Sequence, residues 1–134
     1  MDHKIKRILV DMSCTLLHHG HVRLLKKAAD LGEVVVALTT DEEVKSNKGY
    51  APELDYNQRK EILMAIRYVS EVIPSKWLID DEFIKSNQID LMVHGDDNSN
   101  VIKACEVIIF ERTKGISTSL LREKSVKICK NFGN

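Results

Sequence analysis

The chain has 134 residues, of which 43 % are hydrophobic and 30 % are charged, a composition typical of a globular domain and not of a disordered chain. Its 20 Lys and Arg residues balance 20 Asp and Glu residues, so no excess positive charge favours nucleic acid or an acidic membrane as the main partner. We therefore expect one domain covering residues 1–134, in which any bound anion is held by a few placed groups.

The three cysteines, Cys14, Cys105 and Cys129, form no CxxC pair, and the first twelve residues contain an apolar run of only three. Unpaired cysteines are usual in cytosolic proteins, and so short a run suits neither a signal peptide nor a membrane span. These features predict a cytoplasmic protein without membrane insertion.

Apolar, β-branched runs alternate along the chain with segments of helical periodicity. In chain order we predict a strand at 6–10, a helix ending at Gly32, a strand at 33–39, an irregular segment at 41–56, a helix at 57–68, a strand at 71–74, a helix at 81–87, a strand at 91–95, a helical stretch at 101–104, a strand at 107–110 and a helix from 117 onward. This alternation predicts an α/β, Rossmann-like fold with about five mostly parallel strands and helices on both faces.

Polar segments follow three of the predicted strands, at residues 14–21, 95–97 and 112–118. Ligands of such sheets bind outside the carboxyl ends of the strands. We therefore expect these three segments to meet at one edge of the sheet.

The segment after the first strand crowds three histidines around a glycine, in the order His18, His19, Gly20 and His21. A helix start with two imidazoles three residues apart favours an anion such as phosphate, and a glycine lets that anion approach the backbone. Taken alone, the residues leave open a surface cluster or a metal site, although a zinc site needs about four ligands and no second ligand pair is visible.

Two motifs carry a family resemblance. His18 to His21 resemble the H-x-G-H motif of the nucleotidyltransferase superfamily, and the RTKGIST segment at 112–118 resembles the R-T-x-G-I-S-T signature of its cytidylyltransferase branch. The resemblance covers residues 8–122. It implies transfer of CMP from CTP to a small phosphorylated alcohol or phosphonate, with release of pyrophosphate.

The resemblance also implies roles for individual residues. His18 and His21 would contact the nucleotide phosphates, Lys48 would bring a cation to the α-phosphate and the acceptor phosphate, and Arg112 would hold the leaving phosphates. The implied nucleotide-binding set also contains Ser13, Cys14, Gly20, Asp96, Thr113, Gly115, Ile116, Ser117 and Thr118. We expect His19 to be an exposed bystander, Mg²⁺ to be bound mainly through the nucleotide phosphates without dedicated protein ligands, and the protein to form a homodimer.

The segment Met12 to Thr15 departs from the G-x-F-D pattern of the family. The departure bears on loop rigidity and on the preference for CTP. Two alternatives stay open. One is an adenylyltransferase, which would share the H-x-G-H motif but use ATP. The other is a non-catalytic nucleotide-binding module, which this departure alone supports.

Three features favour an acceptor with an amine, namely ethanolamine phosphate, choline phosphate or 2-aminoethylphosphonate. Asp11 and Trp77 occupy positions that resemble the head-group residues of the choline- and ethanolamine-phosphate enzymes, and a tryptophan face attracts ammonium groups. The strand end at residues 93–97 resembles the corresponding strand end of the ethanolamine-phosphate enzymes. Asp80 and Asp81 stand near the position of a substrate-binding lysine in the glycerol-3-phosphate enzymes. Glycerol 3-phosphate is the alternative acceptor.

Overall fold

The computed structural model describes residues 4–132, which form five strands and five helices. The elements in chain order are β1 (Arg7–Met12), α1 (His19–Ala29), β2 (Glu33–Thr39), α2 (Asp41–Lys48), α3 (Tyr56–Met64), β3 (Glu71–Ser75), α4 (Asp81–Ser86), β4 (Leu91–Gly95), β5 (Glu106–Phe110) and α5 (Thr118–Phe132). No helix among the described residues is both long and apolar enough to cross a membrane.

The five strands form one sheet in the order β3-β2-β1-β4-β5, and every neighbouring pair is parallel. At its centre, Val10 of β1 lies opposite Val36 of β2 and Val93 of β4. The strand order reverses at β1, so the carboxyl end of β1 is the switch point at which such sheets bind ligands. The predicted Rossmann-like α/β fold is confirmed.

Alternate strand residues divide the core into two layers, because successive side chains point to opposite faces. On one face, Ile8 and Val10 pack with Leu25 of α1 and Leu63 of α3. On the other face, Leu9 packs with residues that include Ile84 of α4. Helices therefore cover both faces, as the sequence predicts.

The predicted irregular segment at 41–56 is wrong in its first half, where α2 forms. Thr40 caps this helix by accepting the N–H of Glu43, and Gly49 ends it with a left-handed φ of 82°, a conformation that glycine adopts without strain. Val44 is the only buried residue of the helix. The apolar periodicity is therefore too weak to predict the helix.

The predicted helix at 101–104 does not form. The Asp81 carboxylate accepts the N–H groups of Lys103 and Ala104 at 2.8 and 2.9 Å. These bonds satisfy backbone donors that would otherwise need a helical turn. The connection from β4 to β5 is consequently a loop at the edge of the ligand-binding end.

Candidate active site

A cleft of about 810 Å³ opens at the carboxyl ends of the central strands. It is lined by all fifteen residues that the sequence assigns to catalysis or binding: Asp11, Ser13, Cys14, His18, Gly20, His21, Lys48, Trp77, Asp96, Arg112, Thr113, Gly115, Ile116, Ser117 and Thr118. His19 is exposed and is not part of the lining. The fold thus brings the three polar segments to one place.

The two lining histidines cap the helix that carries them. His18 Nδ1 accepts the N–H of Gly20 at 3.1 Å, and His21 Nδ1 accepts the N–H of His18 at 3.1 Å. The arrangement is a capping box in which imidazoles replace the usual hydroxyl and carboxylate. The N–H groups that the sequence suggests for phosphate binding at His18 and Gly20 are therefore already occupied.

The caps also fix the protonation of both rings. A neutral imidazole whose Nδ1 accepts a hydrogen bond carries its proton on Nε2. Burial, together with the nearby charges of His18 and Arg112, lowers the pKa of His21 to about 4. Burial, with His19 and Arg112, likewise lowers the pKa of His18. Both rings are thus neutral near pH 7 and present Nε2–H donors.

Gly20 is required by the His18 ring. A Cβ built on Gly20 would lie 2.8 Å from Cε1 and 2.9 Å from Nδ1 of His18, distances that real side chains do not reach. The first reason for this glycine is thus to accommodate the capping imidazole. Approach of a phosphate to the backbone is a separate role, suggested by sequence alone.

The buried side chain of Arg59, which is 1 % exposed, contacts the loop after β1. Its guanidinium donates to the carbonyl oxygens of Ser13 at 2.7 Å and Thr39 at 2.9 Å, and pairs with Asp41 at 2.6 Å. Its contacts show that it anchors the loop that lines the cleft.

Cys14 lies at the tip of this loop with a φ of 33°, an unusual value for a residue other than glycine. Burial raises the pKa of its thiol to about 12. The thiol is therefore protonated and is not a nucleophile. Cys14 can contribute to the cleft lining through its backbone groups and its side-chain packing.

The segment at 112–118 forms the opposite wall of the cleft. Ser117 caps α5 by accepting the N–H of Leu120, and the Thr118 hydroxyl donates to the Leu16 carbonyl at 3.1 Å. The first N–H groups of α5 have no acceptor within the helix. Arg112 is exposed, and its Nε lies 3.9 Å from Asp96 Oδ1. This wall therefore offers a helix N-terminus and an exposed cation, both suited to phosphate groups.

Lys48 and Trp77 lie together at one end of the cleft. Lys48 Nζ is 5.6 Å from the centre of the Trp77 ring, a cation–π contact. The backbone N–H of Trp77 donates to Glu43 Oε1 at 3.0 Å. The lysine from α2 and the tryptophan after β3 are thus linked both directly and through Glu43.

Asp11 also has a partner within the chain. Its Oδ1 lies 3.2 Å from His94 Nε2, and its Oδ2 accepts from Asn100 Nδ2 at 3.1 Å. Burial alone would lower the pKa of His94, but the Asp11 carboxylate and the Gly95 carbonyl beside it raise that pKa to about 9. The 3.2 Å contact is not aligned as a hydrogen bond. Asp11 Oδ1 therefore accepts no hydrogen bond from the described residues.

Asn100 is not among the residues that the sequence analysis assigns to the site. Asn100 also accepts the N–H of Ile79 through Oδ1 at 2.7 Å. The only local sign is the polar segment DDNSN after β4, which contains two asparagines. The bond from Asn100 to Asp11 of β1 can be foreseen only when the neighbouring strands are known.

Asp80 and Asp81 lie outside the cleft lining. Asp80 caps α4 by accepting the N–H of Phe83, and Asp81 anchors the loop at 103–104. Their carboxylates are therefore structural. Their position outside the lining gives no support for a part in selecting the acceptor.

Among the described residues, no group of three or more His, Cys, Asp or Glu side chains is placed to hold a metal ion. Mg²⁺ commonly uses one or two carboxylates together with the phosphates of a nucleotide. Asp96 and Asp97 lie at the rim of the cleft with exposed side chains. The residues present therefore fit a magnesium ion that arrives with the triphosphate.

Comparison with known proteins agrees with this geometry. Residues 15–124 match the model of the cytidylyltransferase-like family. The chain is 39 % identical to the glycerol-3-phosphate cytidylyltransferase of Staphylococcus aureus, over 90 % of this chain and 95 % of that protein. It is 32 % identical to the ethanolamine-phosphate cytidylyltransferase of Dictyostelium discoideum, over 86 % of this chain but only 35 % of that protein.

The fold has a solved counterpart as well. The structure of a lipopolysaccharide core biosynthesis protein from Thermoplasma volcanium superposes with a TM-score of 0.70 at 21 % identity, covering 83 % of this chain and all of that one. This likeness concerns the fold alone. With the family model and the curated relatives, the two motifs and the cleft that they form show that the chain belongs to the cytidylyltransferase-like family of nucleotidyltransferases.

Proposed function

We propose that the protein transfers CMP from CTP to glycerol 3-phosphate and releases pyrophosphate. The observation that carries the proposal is the cleft itself, in which two neutral imidazole donors, a helix N-terminus and Lys48 line one volume. These groups suit a triphosphate and a second phosphate held side by side.

The reaction needs no catalytic base. The nucleophile is an oxygen of the acceptor phosphate, which is already anionic at pH 7. This oxygen forms a bond to the α-phosphorus of CTP, and the bond from that phosphorus to the bridging oxygen breaks, so the electron pair leaves with pyrophosphate. Neutral histidines agree with this scheme, because they act as hydrogen-bond donors rather than as bases.

Each lining group has a place in that scheme. His18 and His21 donate to the α-phosphate as charge develops on it. Lys48 moves from the Trp77 face to bridge the α-phosphate and the acceptor phosphate. Arg112 and the start of α5 hold the leaving phosphates. A magnesium ion, when bound, neutralises part of the triphosphate charge, and Asp96 or Asp97 would supply its protein contact.

The sequence ranked an amine-bearing acceptor first, and the positions of the head-group residues weaken that ranking. The Asp11 carboxylate is already paired with the His94 imidazole, and the face of Trp77 is already in contact with Lys48. An acceptor ammonium would have to displace one cation of the chain at each site. A neutral glycerol group has no such requirement, and its hydroxyl groups can donate to Asp11 Oδ1, which lacks an aligned donor.

The relatives support the same acceptor. The glycerol-3-phosphate enzyme of Staphylococcus aureus is matched along almost its whole length at 39 % identity, whereas the ethanolamine-phosphate enzyme is matched at 32 % over about a third of its length. The preferred acceptor is therefore the one that the sequence held as its alternative.

The test is pyrophosphate release from CTP with Mg²⁺ and the purified chain. The acceptors are glycerol 3-phosphate, ethanolamine phosphate, choline phosphate and 2-aminoethylphosphonate, and ATP replaces CTP in a parallel series. We expect the highest kcat/KM with CTP and glycerol 3-phosphate. A higher kcat/KM with an amine-bearing acceptor would overturn the acceptor, and turnover with ATP alone would overturn the nucleotide. Binding of CTP without turnover would identify a nucleotide-binding module instead.

A further inference from the structure

Arg122 lies on α5, about one helical turn beyond Thr118, and makes contacts to two distant segments of the chain. Its Nη2 donates to Glu53 Oε2 at 2.6 Å and to Thr15 Oγ1 at 2.8 Å, and its Nε pairs with Glu53 Oε1. Its Nη1 donates to the Tyr50 hydroxyl at 2.6 Å, and the guanidinium lies 4.7 Å from the centre of the Tyr50 ring. One side chain thus contacts three residues at once.

These partners belong to the two segments that flank the cleft. Thr15 is buried at the end of the loop that follows β1. Tyr50 and Glu53 lie in the connection between α2 and α3, and Tyr50 comes two residues after Lys48. Arg122 itself is outside the cleft lining. It therefore joins the phosphate-facing start of α5, the loop after β1 and the Lys48 segment without reaching the reacting atoms.

We propose that Arg122 is a positioning residue, which holds Lys48 and the loop after β1 in register with the triphosphate-binding start of α5. The inference rests on the proposed transfer of CMP, because that reaction requires the groups from the three segments to act on one triphosphate.

The chemistry of arginine fits this task. A planar guanidinium offers five donors in a fixed fork, so it can bind both oxygens of Glu53 and still reach two hydroxyl groups. A lysine supplies one compact charge and cannot make these contacts together. The Glu53 side chain is 41 % exposed, so the pair by itself adds little stability. The geometric constraint is its main effect.

A matched control exists at the other edge of the sheet. Arg7 pairs with Glu71 at 3.2 Å, and the exposed fractions of these side chains, 24 % and 45 %, are close to the 23 % and 41 % of Arg122 and Glu53. Arg7 begins β1, at the end opposite the cleft. Arg7→Ala therefore removes a similar pair without touching the site.

The first measurement is steady-state kinetics of Arg122→Ala, Arg122→Lys and Arg7→Ala in the full chain, with CTP and acceptor varied separately. Because a misplacement of about 1 Å can cost about a hundredfold, we expect Arg122→Ala to lose about tenfold to a hundredfold in kcat/KM, with a raised KM for CTP. The Arg122→Lys variant should retain only part of the parent kcat/KM. The kcat/KM of Arg7→Ala should stay within about twofold of the parent value. Loss of folded protein alone would lower the apparent kcat and leave KM unchanged. Equal losses in Arg122→Ala and Arg7→Ala, or an unchanged KM for CTP, would overturn the proposal.

A second measurement does not depend on turnover. Amide hydrogen exchange without nucleotide should become faster at residues 49–55 in Arg122→Ala but not in Arg7→Ala. Unchanged exchange in that segment would refute the positioning role, even in an active enzyme. If the parent chain releases no pyrophosphate with any acceptor, the proposed function fails, and the exchange result still decides whether Arg122 holds the segment.

Discussion

His21 both caps α1 and faces the cleft, and two substitutions separate these roles. The His21→Asn variant keeps an acceptor near the same place, because Asn Oδ1 and His Nδ1 are both attached to Cγ. It has no group where the imidazole carries its Nε2–H. The His21→Ala variant removes both the acceptor and the donor.

The expected magnitudes follow from the contacts. The bond from the His18 N–H to His21 Nδ1 is 3.1 Å long, and loss of such a cap costs about 1 kcal/mol of helix stability. Loss of one donor to a phosphate in the transition state costs about a hundredfold to a thousandfold in rate. Both variants should therefore lose activity by about that factor, whereas only His21→Ala should lose the stability of the cap.

Urea unfolding at pH 7 measures the stability, and kcat/KM for CTP measures the activity. Retention of full activity by His21→Asn would refute the donor role and leave the ring as a cap only. Equal stability of the two variants would refute the energetic contribution of the cap.

The remaining predictions concern pH and the loop anchor. Because the folded pKa of His21, about 4, lies below its ordinary 6.5, the unfolded chain takes up this proton first, and up to about 3 kcal/mol of stability is lost as pH falls from 6.5 to 4. The folded pKa of His94, about 9, is raised instead, so its contribution is complete below 6.5 and is lost as pH rises through 9; Asp11→Asn should remove this alkaline loss. Urea midpoints between pH 4.5 and 9.5 test both signs, and a flat profile would contradict them. Arg59→Met should cost about 3–5 kcal/mol, because buried carbonyl oxygens lose a charged donor, whereas Arg7→Met should cost about 1 kcal/mol or less; similar costs for the two would refute the anchoring role.

The alternation of strands and helices could be predicted because the strands are apolar runs and most helices show apolar residues at helical spacing. Residues 34–38 are almost completely buried, and such a run suits a central parallel strand covered on both faces. The helix α2 could not be predicted in the same way. It buries Val44 alone and is defined by its caps at Thr40 and Gly49.

The lining of the cleft was also predictable, because its two main motifs are short and follow directly after strands. Contacts between those motifs and the rest of the chain were not. Arg59 and Ser13 are 46 residues apart, and Arg122 and Thr15 are 107 residues apart. No local pattern distinguishes these arginines from solvent-exposed ones.

The sequence by itself determined the fold class, the family and the residues at the carboxyl edge of the sheet, since hydrophobic periodicity and local motifs act over a few residues. The tertiary structure decided how those residues are paired. Asp11 meets His94 because β1 and β4 are neighbours in the sheet, and Lys48 meets Trp77 because α2 packs beside the end of β3. Those two contacts are among the observations that support glycerol 3-phosphate as the proposed acceptor. They depend on strand order, which is set by burial of the whole core and not by any single segment.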